Sequence, residues 1–269
     1  MSRAIFLFFG LILLAISLNL NAQKSFNVSA SLRTPAEYHL QVKQFGEFVD
    51  RFNYKTDWKG NSISDEFAQK IPRANYIFYL FNSEDERLTN PNDSSYRVLC
   101  SEFIAFIDEP NNSKTITLFS EQVKAYTIVN FMYFGKPQKA KVELTPEVLH
   151  DRSAKWVISS VETDCFAAIG DSLRTHFIAP NSHETSFINT KKINGQTNPI
   201  YYFSTTLATN STMLFLTEAA KNRIKIQTIE NVVYYISFPG WKITVEEFNR
   251  TTTNSGWLIS NIEKMSLKN

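Results

Sequence analysis

The phrase Trp156-Val157-Ile158-Ser159-Ser160-Val161-Glu162 returns 101 residues later as Trp257-Leu258-Ile259-Ser260-Asn261-Ile262-Glu263. Each replacement keeps size and polarity nearly constant. The chain holds only four Trp, so a match of this length anchored on Trp is not expected by chance. Self-similarity at a fixed spacing reads as two copies of one folding unit. The phrase speaks about architecture and names no reaction.

Moving outward, a similar order of elements precedes each copy. Thr34-Pro35-Ala36-Glu37 is a helix start, with Thr34 as cap, Pro35 at the first helical position and Glu37 completing a capping box. Tyr38, Val42, Phe45, Val49 and Phe52 follow at spacings of three and four, one face of a helix over 35–53. Ser62 and Asp65 suit a shorter helix closed by Pro72. The aromatic and β-branched run 76–81 reads as a strand. Tyr96, Leu99, Cys100, Phe103 and Ile107 recur helically up to the break at 108–112. Strands then read over 115–119, 123–134, 139–144 and 155–163, with Gly135-Lys136-Pro137 as a turn.

The second unit follows a junction at 167–171. It reads as a helix over 183–193, a short strand over 201–203, a helix from Asn210 through Lys221, and strands over 224–229, 232–238, 242–248 and 256–265. Pro239-Gly240 matches the turn at Gly135 with an offset of 105, and Val142-Glu143 matches Val245-Glu246 with an offset of 103. With the Trp phrase at 101, the offset shrinks by two per connection, as if loops shortened between strands of constant length. Nothing in the second unit matches the long first helix.

Helices first, one strand, another helix, then a long antiparallel sheet closed by Trp156-Val157-Ile158 or Trp257-Leu258-Ile259 resembles the nuclear transport factor 2-like superfamily. The resemblance covers roughly 34–165 well and 176–266 less well. It implies an α+β fold of two tandem cone-shaped domains, each a curved antiparallel sheet with helices on the concave face and a pocket at the wide end. The expected division is a signal peptide over 1–22, a first cone over 23–166 and a shorter second cone over 167–269. The superfamily includes isomerases, dehydratases, cyclases and passive binders, so the fold leaves function open.

The strand at 123–134 adds a hint about assembly. Its odd positions carry Val123, Ala125, Thr127, Val129, Phe131 and Tyr133; its even positions carry Lys124, Tyr126, Ile128, Asn130, Met132 and Phe134. Neither set is cleanly polar, whereas a half-exposed antiparallel strand should alternate. Helices are expected on one face and something else over part of the other, the second copy being the nearest candidate.

The start of the chain bears on compartment. Ser2-Arg3, an uncharged apolar run over 4–20, and Leu20-Asn21-Ala22 have the layout of a secretory signal peptide. Cleavage after residue 22 leaves 247 residues and lowers the formal charge from +2 to +1. A nearly neutral chain with scattered Lys carries no electrostatic footprint for nucleic acid. No later stretch is long and apolar enough to span a bilayer. The reading is therefore a soluble periplasmic or extracellular protein. In an oxidising compartment Cys100 and Cys165 are a candidate disulfide; the alternative is two structural thiols.

Catalytic and metal motifs are weak. His183-Glu184 begins like a zinc-binding helix, but position 187 is Phe and the motif fails. A Ser-His-Asp arrangement is a matter of space rather than spacing and stays open. There is no Gly-x-Ser-x-Gly phrase and no Gly-rich phosphate loop. Glu143 and Glu246, and Glu162 and Glu263, read as duplicated carboxylates with a structural role, because a catalytic group rarely needs to appear in both copies. Among the 22 Phe and 11 Tyr, most are core. Tyr126, Phe131, Tyr133 and Trp156 in the first unit, and Tyr234, Phe238 and Trp257 in the second, are the candidate ligand contacts. Trp58, in a polar loop, is the candidate exposed aromatic.

The sequence thus points to an exported, non-enzymatic protein that binds a small apolar ligand or an envelope partner, with no cofactor and no metal expected. Two alternatives remain: an isomerase, dehydratase or hydrolase using one cone, and a carbohydrate-surface module using Trp58 or Trp241.

Overall fold

Each Trp phrase forms the last strand of a three-stranded antiparallel meander. In the computed structural model, which describes residues 44–166, 193–194, 210–251 and 253–266, the first meander is β1 (Val123–Tyr133), β2 (Lys136–Val148) and β3 (Ala154–Glu162). The second is β4 (Ile224–Phe238), β5 (Trp241–Phe248) and β6 (Gly256–Lys264). β1 pairs antiparallel with β4, giving one open, curved six-stranded sheet in the order β3-β2-β1-β4-β5-β6. The fold is α+β, with helices packed on one face of this sheet.

The register of the two meanders matches position by position. Trp156 faces Pro146 and Trp257 faces Glu247; Lys141 faces Glu162 and Lys242 faces Glu263. Each closing strand bulges at the same place, between the pairs at Glu143 and Leu144 and between those at Thr244 and Val245. The extra residue is the repeated Ser. Ser159 Oγ donates to the Glu143 carbonyl at 3.3 Å, and Ser260 Oγ to the Thr244 carbonyl at 3.4 Å. A bulge leaves a residue outside the ladder and bends its strand; a short hydroxyl that binds the partner backbone suits that position.

The helical layer is α1 (Phe45–Phe52), α2 (Asp65–Lys70), α3 (Arg73–Phe78), α4 (Glu86–Thr89), α5 (Ser95–Ile107) and, after β3, α6 (Asn210–Ala220). It is distributed across the sequence halves. Phe45 on α1 stacks on Tyr234 at 3.6 Å and meets Trp257 edge-on at 6.1 Å. Phe103 on α5 meets Phe238 and Trp241. α6 instead lies on β3 and β4, with Phe215 against Phe131 at 5.3 Å. So α1 and α5 cover the second meander, and α6 reaches the first. The buried apolar residues of both halves form one contiguous core.

A polar seam fixes this arrangement. Asn254, 2% exposed, donates to the carbonyls of Tyr79 and Phe81 and accepts from Ser83. Phe81 makes a single parallel bridge to Ile259. Arg73 collects the carbonyls of Phe52, Ile107 and Lys114 and the Asp108 carboxylate, tying the ends of α1 and α5 together. A buried network of this kind stabilises only if every member is satisfied.

Several sequence expectations change. The run at 76–81 is largely helical, not a strand: Pro72 caps α3, and Tyr76, Ile77 and Phe78 are aromatic and β-branched because they are buried. The segment 115–119 joins no strand; Asn53 brackets Ile116, accepting from its N–H at 2.7 Å and donating to its carbonyl at 2.8 Å. The strands at 224–229 and 232–238 are one strand, bent where Asn231 takes φ 52° opposite a register shift. The helix start at 34–43, the junction at 167–171, the helix at 183–193 up to residue 192 and the strand at 201–203 lie outside the described residues.

The offsets also change. Ala125 faces Leu144 as Tyr234 faces Val245, so β2 and β5 correspond with an offset of 101, and β1 and β4 with 109. Glu143 therefore corresponds to Thr244, not to Glu246. The difference in length is not spread over the connections; it sits at one hairpin tip. Nor does the second copy cover the open face of the first. It extends the sheet edge to edge through β1 and β4.

Cys100 and Cys165 are free thiols, not a disulfide. Cys100 sits on α5, which packs against β6, while Cys165 follows β3 at the other edge of the sheet. Burial pushes the Cys100 thiol up to about 12, which makes it an inert core group.

Candidate functional site

β1 alternates once its burial is measured. Val123, Ala125, Thr127, Val129 and Phe131 face the helices and are buried; Lys124, Tyr126, Ile128, Asn130 and Met132 face away. The helix side is filled. Phe131, Trp156, Tyr234, Phe238 and Trp257 are all at most 7% exposed. Tyr234 carries Phe45 on its face, with Trp257 and Trp156 at 5.0 and 6.1 Å. Five of the seven expected ligand contacts are therefore buried in the core. Tyr133, at the end of β1, is half-buried and donates to Glu218 at 3.1 Å. Trp58 is half-buried beneath the Lys59 ammonium at 4.6 Å. Trp241 is core, 6% exposed.

The seventh residue, Tyr126, lies on the open face. Its ring meets Tyr235 edge-to-face at 5.0 Å. The two occupy corresponding places, Tyr126 opposite Glu143 and Tyr235 opposite Thr244. Lys141 stands over Tyr126 at 5.0 Å and Lys242 over Tyr235 at 5.1 Å. Each Lys pairs with the Glu of its repeated phrase, Lys141 with Glu162 at 3.7 Å and Lys242 with Glu263 at 2.8 Å. The repeated Trp and Glu thus do separate jobs: Trp fills the core beneath, and Glu holds the Lys that covers a Tyr above.

The two halves differ at the residue that faces the Tyr. In the first, Glu143 accepts from the Tyr126 hydroxyl at 2.5 Å, from Lys124 at 2.7 Å and from Ser159 at 3.1 Å. Burial disfavours its charge, but the hydrogen bonds from Lys124, Tyr126 and Ser159 outweigh that and hold the carboxyl below its ordinary range. Burial and the adjacent carboxylate push the Tyr126 phenol up. Efficient proton transfer at neutral pH needs pKa values drawn toward it; these two are driven apart. The network fixes a surface and is not poised for acid–base work.

A surface groove of roughly 550 Å³ lies between α4 and α5, lined by Glu86, Arg87, Asn90, Asp93, Ser95, Tyr96 and Leu99. No motif in the sequence marks it. Arg87 is committed there, to Asp85, to the Ser260 carbonyl and to Asn261, with its guanidinium 4.0 Å over Tyr96. Among the described residues no group of three or more His, Cys, Asp or Glu is placed to hold a metal ion, and no helix is long and apolar enough to cross a membrane.

Compared with protein-family models, with characterised proteins and with solved structures, the chain finds no match.

Proposed function

We propose that this chain is a non-enzymatic, exported binding protein built from two related units, and that it meets an envelope partner through the open face of its sheet. The observation that carries the reading is the Tyr126–Tyr235 pair with its two matched Lys lids. Aromatic rings held half-buried by charged neighbours are the composition of a contact surface. The helix side, with Phe45 stacked on Tyr234, is occupied by protein where an apolar ligand would sit, so the partner reading is favoured over the small-ligand one. The tandem-unit reading, two nuclear transport factor 2-like cones, is supported by the repeated phrase and the matched bulges. In this proposal the units are divided by their strands, β1–β3 and β4–β6. Export rests on the layout of residues 1–22.

A photo-crosslinking side chain placed at Tyr235 of the full chain tests the contact in cells. The expected result is a discrete protein adduct at Tyr235 and none from the same group at Val98, an exposed position on α5. Equal labelling at both sites, or none at Tyr235, would overturn the open-face reading.

A further inference from the structure

The two hairpins diverge at their tips. Val129 faces Ala140 in the first where Phe238 faces Trp241 in the second, and the second turns there, at Pro239-Gly240. The first continues through the pairs from Asn130↔Lys139 to Tyr133↔Lys136, about 13 Å further at about 3.3 Å per residue. It then turns at Phe134-Gly135.

Both turn residues are left-handed, with φ 47° and 75°. That two-residue geometry favours Asn-Gly. A Phe at the first position carries backbone strain that Asn would not, and burial does not offset it, because Phe134 is 64% exposed. Among the described residues its ring meets neighbours at the tip, Tyr133 at 4.6 Å and the Arg223 guanidinium at 5.3 Å. Neither turn chemistry nor the core accounts for this residue, and a broken local rule without a structural gain points to function.

Cations surround it on both faces of the hairpin. Lys136 shares a face with Tyr133, and Lys225 lies opposite Met132 on the other. Arg223 stands against the ring, Lys221 shares Glu218 with it, and Lys139 lies further back along the hairpin. The acids nearby are Glu218, 8% exposed and already held by Lys221 and Arg223, Glu230, 3.9 Å from Lys139, and the exposed Asp164. Lys136 and Lys225 are exposed, with no carboxylate at ion-pair distance among the described residues.

We propose that this hairpin tip docks on an anionic lipid surface, with Phe134 entering the headgroup boundary and the surrounding Lys and Arg meeting lipid phosphates. An exposed aromatic ringed by cations is the composition that binds such an interface. Cations on both faces of the hairpin suit a plane at the apex; an acidic protein groove would call for charge on the side it contacts.

The test uses the full chain carrying F134W, mixed with vesicles of brominated phosphatidylglycerol or brominated phosphatidylcholine. Quenching in excess of that seen with the unmodified chain reports the tip itself, since Trp156, Trp241 and Trp257 are buried and the half-buried Trp58 is common to both proteins. The expected result is quenching by the anionic lipid, lost at high salt and absent with the neutral one. K136Q and K225Q should each weaken it about fivefold. F134N should bind phosphatidylglycerol about tenfold more weakly than the unmodified chain while melting at a higher temperature, because Asn relieves the turn. No quenching, equal quenching by neutral lipid, or F134N binding unchanged overturns the proposal. Binding of polyglutamate without binding of either vesicle also overturns it, in favour of an acidic protein partner. Substitution of Tyr235 should leave vesicle binding intact, which separates this site from the open face.

Discussion

Tyr126 and Tyr235 hold the same place in two meanders of the same register, yet one faces Glu143 and the other Thr244. Around Tyr126 the open face is ionic: Lys124 and Ser159 join the carboxylate. Around Tyr235 no carboxylate takes the place of Glu143, although Lys242 and Glu263 pair above the ring. Thr244 is 8% exposed, and Val233 stands where Lys124 does. Beneath both, the Trp of the phrase is buried, at 3% and 1%. The core side of the closing strand is therefore alike in both halves, while the open side differs at the residue that faces the Tyr. Core positions answer to packing, which tolerates little change; surface positions answer to what the face meets. This contrast makes the open face, and not the Trp, the place to look for function.

The largest effect should come from the shared core. W156A and W257A are each expected to cost about 3–5 kcal/mol. Both rings contact Tyr234, so the double variant should fall short of the sum of the singles. Because helices from before β1 pack on the second meander within one core, each variant should unfold in a single transition by calorimetry. Two separate transitions, each moved by one Trp alone, would show two independent units and break the comparison. W257F should cost less than W257A, since it keeps most of the ring and removes an indole N–H that is buried without a partner.

Sequence reasoning reached the strands and missed what joins them. Strands at 123–134, 155–163, 242–248 and 256–265 are legible because β-branched and aromatic residues sit between turn signals, and Gly135 and Gly240 mark two of those turns with φ 75° and 76°. Composition misled at 76–81, where burial in a helix selects the same residues as burial in a strand. Register was out of reach. Pairing Val142-Glu143 with Val245-Glu246 is a slip of two residues, and a two-residue slip keeps every side chain on its own face, so alternation cannot detect it. Only the bulges at Ser159 and Ser260 fix the correspondence. The open face went unread for the same reason: Tyr126 meets Tyr235 across a strand pair whose members lie about a hundred residues apart in sequence. The strained Phe134, by contrast, was visible in principle as Phe-Gly at a tight hairpin where Asn-Gly is preferred.

The second prediction concerns the ionic half. E143Q should destabilise by about 1 kcal/mol near neutral pH, because hydrogen bonds to a charged acceptor are lost from a partly buried site. The folded-state pKa of Glu143 lies below its ordinary value. Such a group contributes stability above the unfolded pKa of about 4.3 and loses it as pH falls through the folded value. The gap between the unmodified chain and E143Q should therefore narrow as pH is lowered from about 5 toward 3. Chemical denaturation across that range measures it. A T244V variant, lacking any titrating group at the corresponding place, should show no such narrowing. A gap that widens on acidification would mean that Glu143 is protonated in the folded state.

The smallest effect separates the two Lys lids. Lys141 and Lys242 each cover a Tyr and pair with a Glu, but not equally. The Lys242–Glu263 pair is shorter, 2.8 Å against 3.7 Å, and its Lys is less exposed, 28% against 50%. Exposed ion pairs contribute little and are screened by salt, and a cation over a ring adds about 0.5–1 kcal/mol at such sites. K141M should stay within about 0.5 kcal/mol of the unmodified chain, and K242M should cost up to about 1 kcal/mol. Raising the salt should shrink the ion-pair part of both and leave the ring contact, so a residue of the K242M effect should survive. The order carries the argument. If K141M costs more than K242M, the pairing distance does not govern these lids. The first half would then owe its rigidity to Lys141 as well as to Glu143, and the difference between the two halves would reach the lids themselves.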